Sequence, residues 1–327
     1  MRNIFKIGVL LSAVIFCNAA PALAQDLKIV LNKNTSNLVG FLASDQELYK
    51  KHGADVEITV AGSGSESNEL LASGRVDGGT LGLGPSVIAW ANGLDLVPVV
   101  KYRDGAEVYS IIAHKDAGIS TIEDLKGKRV GVTKGTDPET AFILALKAHG
   151  VDYADVQVLD SKWADHASLL ERGDVAAVNA NEPFGSLMLR NLSDKVQLIE
   201  RLDPYYGNGG FMLFSQEAMK NKPEAVRAVV LAYWEAHQII RTHPEIAAES
   251  LKKWLGIDDE TAMETIALFG ARPLLTERTQ EDLHINADIL SNSKKIRTVP
   301  DIDRLMAQGF AFQEEMKAKA DYAAYLE

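Results

Sequence analysis

Apolar and polar positions along the chain keep switching between two periods. Leu27-Lys28-Ile29-Val30-Leu31 alternates like a strand, while Leu38, Phe41, Leu42 and Leu48 recur like one face of a helix that Gly53 ends. Ser36 stands where it can cap that helix. Residues 56–60 read as a second strand, and a polar loop at 62–66 leads into a helix through Leu70-Leu71 that stops at Gly74. Ser63 and Glu66 have the spacing of a capping box. A short strand at 79–83 runs into Gly84-Pro85-Ser86 and a helix closed by Gly93. The alternation then restarts, with strands expected at 108–113, 129–132, 156–159 and 175–178. Between them fall a short capped helix at 120–125, a helix from Pro138 to a stop at Gly150, and one around 164–171. Beyond residue 223 helical periods dominate, as in Val226, Val229, Val230, Tyr233 and Trp234.

Strand, loop and helix in short-linked alternation predict an α/β fold with largely parallel strands. The restart predicts two lobes: residues 26–105 with 208–327, and residues 106–207. They are joined by two crossings, the second around 207–211, and the C-terminal helices return to the first lobe.

Residues 1–25 follow a different logic. Arg2 and Lys6 precede an apolar run at 7–16, and Ala22-Leu23-Ala24 gives the small-x-small pattern of a signal peptide. The run is too short to span a bilayer, and no later apolar stretch reaches about 18 residues. Cleavage would remove Cys17, the only cysteine, so the exported chain would carry no disulfide, thiolate nucleophile or cysteine-bound metal. Bulky Phe16 argues against a lipoprotein signal at that cysteine.

Composition narrows the partners. The chain holds 34 Lys+Arg against 45 Asp+Glu, a net charge of −11 that becomes −13 once Arg2 and Lys6 are removed. That balance opposes nucleic-acid binding, and the densest basic cluster, Lys294-Lys295-Ile296-Arg297, reads as solvated surface. A soluble, exported monomer with a small-molecule ligand is expected.

In open α/β sheets, ligands bind where strands end and loops enter helices. Four such loops are small and polar: Asn34-Thr35-Ser36, Ser63-Gly64-Ser65, Gly84-Pro85-Ser86 and Gly135-Thr136. Their side chains either cap helices or leave the helix amides open to an anionic group. Asp137, just before Pro138, either caps its own helix or meets a ligand donor. Glu182 either accepts hydrogen bonds from a ligand beside Phe184 or pairs across the lobe surface. Trp163, Tyr102, Tyr205, Tyr206 and Phe211 lie near strand ends and crossings, where aromatics line clefts or pack; Trp90, Trp234 and Trp254 fall at helical apolar spacing and are assigned to packing. No Gly-x-Ser-x-Gly elbow, His-Glu-x-x-His helix or phosphate loop occurs, so neither catalysis nor a cofactor or metal is expected.

Three segments carry a resemblance. Gly62-Ser63-Gly64-Ser65, then Ala72-Ser73-Gly74-Arg75-Val76-Asp77, resembles a signature of the periplasmic substrate-binding proteins of ABC importers. Asp124-Leu125-Lys126-Gly127-Lys128-Arg129-Val130-Gly131-Val132 is similar to the segment that opens their second lobe. Asn181-Glu182-Pro183-Phe184 is similar to the Trp-Glu-Pro-aromatic segment of their nitrate, sulfonate and taurine group, which is related to pyrimidine-precursor binders. The resemblance implies a type II periplasmic binding protein fold: two α/β lobes with a ligand cleft between them and C-terminal helices. The lobes would close on a ligand by hinge bending and dock on ABC importer permease subunits. Carried over, the ligand-binding residues would be Asn34, Thr35, Ser36, Ser63, Gly64, Ser65, Gly84, Pro85, Ser86, Thr136, Asp137, Glu182 and Phe184. Trp163 and Phe211 join them as candidate cleft aromatics. Asn181 stands where that group has Trp, so an aromatic wall is absent or supplied by Trp163, and Asp137 argues against an oxyanion at its loop. The implied ligand is a sulfonate or taurine-like molecule, or alternatively a heteroaromatic precursor. An enzyme on this fold, like the related pyrimidine synthase, would need a cysteine-rich motif that the exported chain lacks. A regulator's sensor domain would need a DNA-binding helix-turn-helix or a membrane span, and neither is present.

Overall fold

The computed structural model describes residues 25–104, 108–206, 209–270, 272–319 and 323–326. Residues 1–24, where a signal peptide with Cys17 is expected, and Gly207 and Asn208 of the expected second crossing lie outside them.

Apolar alternation builds the strands β1 (Gln25–Asn32), β2 (Ala54–Ala61), β3 (Gly78–Gly82), β4 (Leu96–Asp104) and β5 (Tyr109–His114). They continue with β6 (Arg129–Val132), β7 (Gln157–Asp160), β8 (Ala177–Asn181), β9 (Val196–Arg201) and β10 (Gly209–Ser215). Two sheets result, ordered β2-β1-β3-β10-β4 and β7-β6-β8-β5-β9. In each, four strands share one direction and one runs against them, β10 in the first and β5 in the second. The two opposed strands are those that enter from a crossing. Largely parallel α/β lobes are therefore what the chain forms.

The period-two pattern of β1 splits its side chains between two layers. Leu27, Ile29 and Leu31 face one core with Phe41, Val226, Val229, Tyr233 and Trp234, under the helices Leu38–Asp45 and Pro223–Thr242. Val30 faces the other, with Leu70, Trp90, Leu283 and Leu305. The C-terminal helices thus cover the first sheet.

Several local expectations change. Strands β4, β9 and β10 do not stand out in the sequence, and 207–211, expected as a bare crossing, runs into β10. The expected helix at 120–125 is a single 3-10 turn, Glu123–Leu125, and Asp124 Oδ2 accepts from the Ser120 and Thr121 amides there. Ser36 caps no helix, because its hydroxyl accepts from Arg103 instead. Ser63 does cap: the Glu66 N–H donates to its Oγ at 3.2 Å, and Glu66 Oε2 accepts from the Gly62 N–H at 2.7 Å.

Among the described residues no helix is long and apolar enough to cross a membrane, and no cluster of three or more His, Cys, Asp or Glu could hold a metal ion.

Candidate functional site

The carboxyl ends of β1, β2, β3, β6, β7 and β8 open onto one cleft of about 570 Å³. Asn34 and Ser36 enter it after β1, Ser63, Gly64 and Ser65 after β2, and Pro85 after β3. From the other lobe come Thr136 and Asp137 after β6, Trp163 after β7, and Phe184 after β8. The remaining expected residues do not line it. Thr35 is buried and donates to the Glu182 carbonyl at 3.2 Å, tying the loops after β1 and β8 together. The Ser86 hydroxyl, fully buried, donates back to the Gly82 carbonyl at 2.7 Å. Gly84 is turned to Asp137. Glu182 is 1% exposed, accepting from Arg201 at 3.1 Å and from the Ser186 amide at 3.1 Å. Phe211 has no exposed surface and packs in the core with Leu81 and Leu213.

The cleft also holds Tyr102, one of the aromatics noted near a crossing, and further residues without a local sequence signal. Its floor at the crossing is Tyr102, Arg103 and Tyr109. Arg103 is only 2% exposed; it donates Nη1 to Ser36 Oγ at 2.7 Å and Nη2 to Tyr109 Oη at 3.2 Å, and lies 5.8 Å from the Tyr109 ring centroid. Burial pushes the Tyr102 and Tyr109 hydroxyls well above their ordinary pKa, so both are neutral donors. Lys33, Lys134 and Lys162 are exposed along the walls. With Arg103 they make four cations against two carboxylates, Glu66 and Asp137, in a chain whose net charge is −11.

Both carboxylates are already engaged, Glu66 by its cap. Asp137 does not cap its own helix, Asp137–Ala148, whose cap position is Thr136. Its Oδ1 reaches across to the start of the helix Leu83–Ala91, accepting from the Gly84 N–H at 2.7 Å and from Tyr206 Oη at 3.0 Å. Asn286 Nδ2 donates to the same Tyr206 oxygen at 2.8 Å. A Cβ on Gly82 would collide with the Asp137 carboxylate, so glycine is required for this approach. Burial raises the Asp137 pKa, opposed by the Gly84 and Tyr206 hydrogen bonds and by the Arg103 charge. A protein carboxylate therefore takes the helix terminus where an anion would be welcome.

Asn181 Oδ1, on a residue 4% exposed, and Trp163 Nε1 are polar atoms of the cleft that are buried without a hydrogen-bond partner. One lacks a donor and the other an acceptor. A ligand supplying both would remove two desolvation penalties at once.

The model of the family described as NMT1/THI5 like matches residues 34–247. A relative in Escherichia coli strain K12, named for binding aliphatic sulfonates, is 27% identical over 261 residues, covering 79% of this chain and 81% of its own. The taurine-binding periplasmic protein of the same organism is 25% identical over 231 residues, covering 68% and 69%. The crystal structure of the periplasmic aliphatic sulphonate binding protein SsuA from Escherichia coli superposes with a TM-score of 0.78 at 21% identity, over 86% of this chain and 96% of that one. These relatives are named as binding proteins, not enzymes. The chain belongs to the NMT1/THI5-like family and has the two-lobed fold of its periplasmic binding proteins.

Proposed function

We propose that the protein is the exported solute-binding component of an ABC importer, holding the anionic group of a small organic ligand of the sulfonate or taurine kind and delivering it to the permease. Residues 1–25 would be removed on export, and residues 26–105 with 208–327 would close as one lobe against 106–207. The observation that carries the reading is the inverted charge of the cleft, four cations against two engaged carboxylates in an acidic protein. The relatives named for sulfonates and taurine agree with it. A heteroaromatic ligand would need carboxylate acceptors; Glu182 is sealed against Arg201, and Asp137 is held by Gly84 and Tyr206.

A thermal-shift screen of residues 25–327 tests this. Short alkanesulfonates or taurine should raise the melting temperature, since a ligand at about 100 times its Kd adds about 2.7 kcal/mol. A response to pyrimidine precursors alone would overturn it.

Two further outcomes follow from the site. Replacing Lys33, Lys134 and Lys162 together by Ala should slow ligand association roughly tenfold at low salt and flatten its salt dependence. The exposed charges act over about 30 Å at 0.01 M salt but only about 8 Å at 0.15 M. Stopped-flow fluorescence across that range would decide it. Asn181→Leu should weaken ligand binding roughly tenfold while leaving the free protein as stable or more so, because an unpaired buried acceptor is removed. Calorimetry of binding beside urea denaturation separates those effects; equal losses in both would mean Asn181 is structural.

A further inference from the structure

We propose that the Trp163–Phe184 wall joins the cleft to an apolar side chamber that takes the apolar substituent of an organic anion whose charged group stays in the cleft. This deepens the function proposed above and rests on it.

The chamber, about 270 Å³, shares Trp163, Ala164 and Phe184 with the cleft. Helical spacing builds it. Phe184, Leu187, Met188 and Asn191 recur at three- and four-residue steps on the helix Phe184–Asn191. Opposite stand Trp163, Ala164, Ala167 and Glu171, on the 3-10 turn Trp163–Asp165 and the helix His166–Glu171 that continues it. The two stripes face each other across a gap. Leu187, Met188, Ala167 and Leu192 make its walls apolar, and methionine adapts to varied shapes.

Charge then fixes the ligand's orientation. Among the described residues no cation lines the chamber, and its one charged residue is Glu171, exposed at the rim and ion-paired with Lys195 at 3.0 Å, whereas the cleft holds Arg103 and three lysines. An anionic head placed in the chamber would be desolvated against apolar walls, beside a carboxylate that Lys195 already pairs. The same head in the cleft leaves its tail beside the aromatic wall that both cavities share. Taurine's ammonium would gain nothing from such a chamber, so the preferred ligands are organic anions with an alkyl or aryl group.

The test is calorimetry across the straight-chain series from methanesulfonate to octanesulfonate. Affinity should rise roughly fourfold per methylene until the chamber is full, then level off. Ala167→Trp fills the chamber from a position that does not line the cleft. It should leave methanesulfonate affinity unchanged and abolish the rise. Leu187→Glu, on a half-buried site, charges the chamber and should do the same if the tryptophan variant folds poorly. Methanesulfonate binding with a flat series, or a rise that survives both substitutions, overturns the chamber and leaves the anion reading standing. No binding by any member overturns both.

Discussion

Arg103→Met should weaken ligand binding by roughly a hundredfold or more, the cost of truncating a buried, hydrogen-bonded charge. The guanidinium is the only cation among the four cleft-lining ones that is buried, so water screens it least. It also orders the site before any ligand arrives. One nitrogen holds Ser36 after β1 and another holds Tyr109 at the start of β5, so that loop and the first residue of β5 are set in one geometry. Arg103→Lys keeps the charge but loses the planar fork, and should recover less than a tenth of the affinity. Calorimetric titration of both variants with one organic sulfonate decides the point. A lysine variant that binds like the wild type would reduce Arg103 to a point charge.

Asp137→Ala should lower the free energy of unfolding by about 3 kcal/mol, measured by urea denaturation. The substitution removes the acceptor of the buried Gly84 amide and of the Tyr206 hydroxyl, which is itself only 2% exposed. It also removes a contact between lobes, so small-angle scattering should record a larger radius of gyration. Asp137→Asn keeps one acceptor oxygen and should recover roughly half of the loss. The pH dependence has a definite sign. Burial raises this carboxyl above its ordinary value of about 3.9, so the folded state holds the proton more tightly than the unfolded chain. Its contribution is full below that ordinary value and is lost as pH rises through the raised one. The wild type should therefore lose stability relative to Asp137→Asn on going from acid to neutral pH. An unchanged difference between the two proteins across that range would mean that Asp137 titrates as an ordinary exposed carboxylate.

What could be read from the sequence follows the range of the interactions involved. The Ser63–Glu66 cap involves neighbours three residues apart, and it forms. The small polar loops declare strand ends because turn and cap chemistry is local, and strand ends in this fold face the cleft. Asp137 marks a helix start correctly, yet its partner Gly84 lies 53 residues away in another lobe, and nothing nearby announces it. Arg103 sits at the end of a strand where a charged residue ordinarily points to solvent; only the pairing of β4 with β10 and the return of β5 bury it. Glu182 beside Phe184 suggests a ligand contact, but Arg201, nineteen residues on, claims the carboxylate. Phe211 near a crossing suggests a cleft aromatic, and the insertion of β10 between β3 and β4 turns it inward.

That insertion also dictates an order of assembly. A chain that emerges from its amino end, from a ribosome or through a pore, presents β1 to β4 first, but β3 and β4 cannot be joined until residues 209–215 arrive. The second sheet uses only residues 109–201, an unbroken stretch that can close as soon as it is out. The first-made half of the first lobe must therefore wait with two open strand edges while the later-made lobe folds. Open edges are where chains pair wrongly with each other. The waiting segment's defence is its interruption by glycines and its short β3, and the interval of open edges ends when Gly209 to Ser215 slide between the two strands.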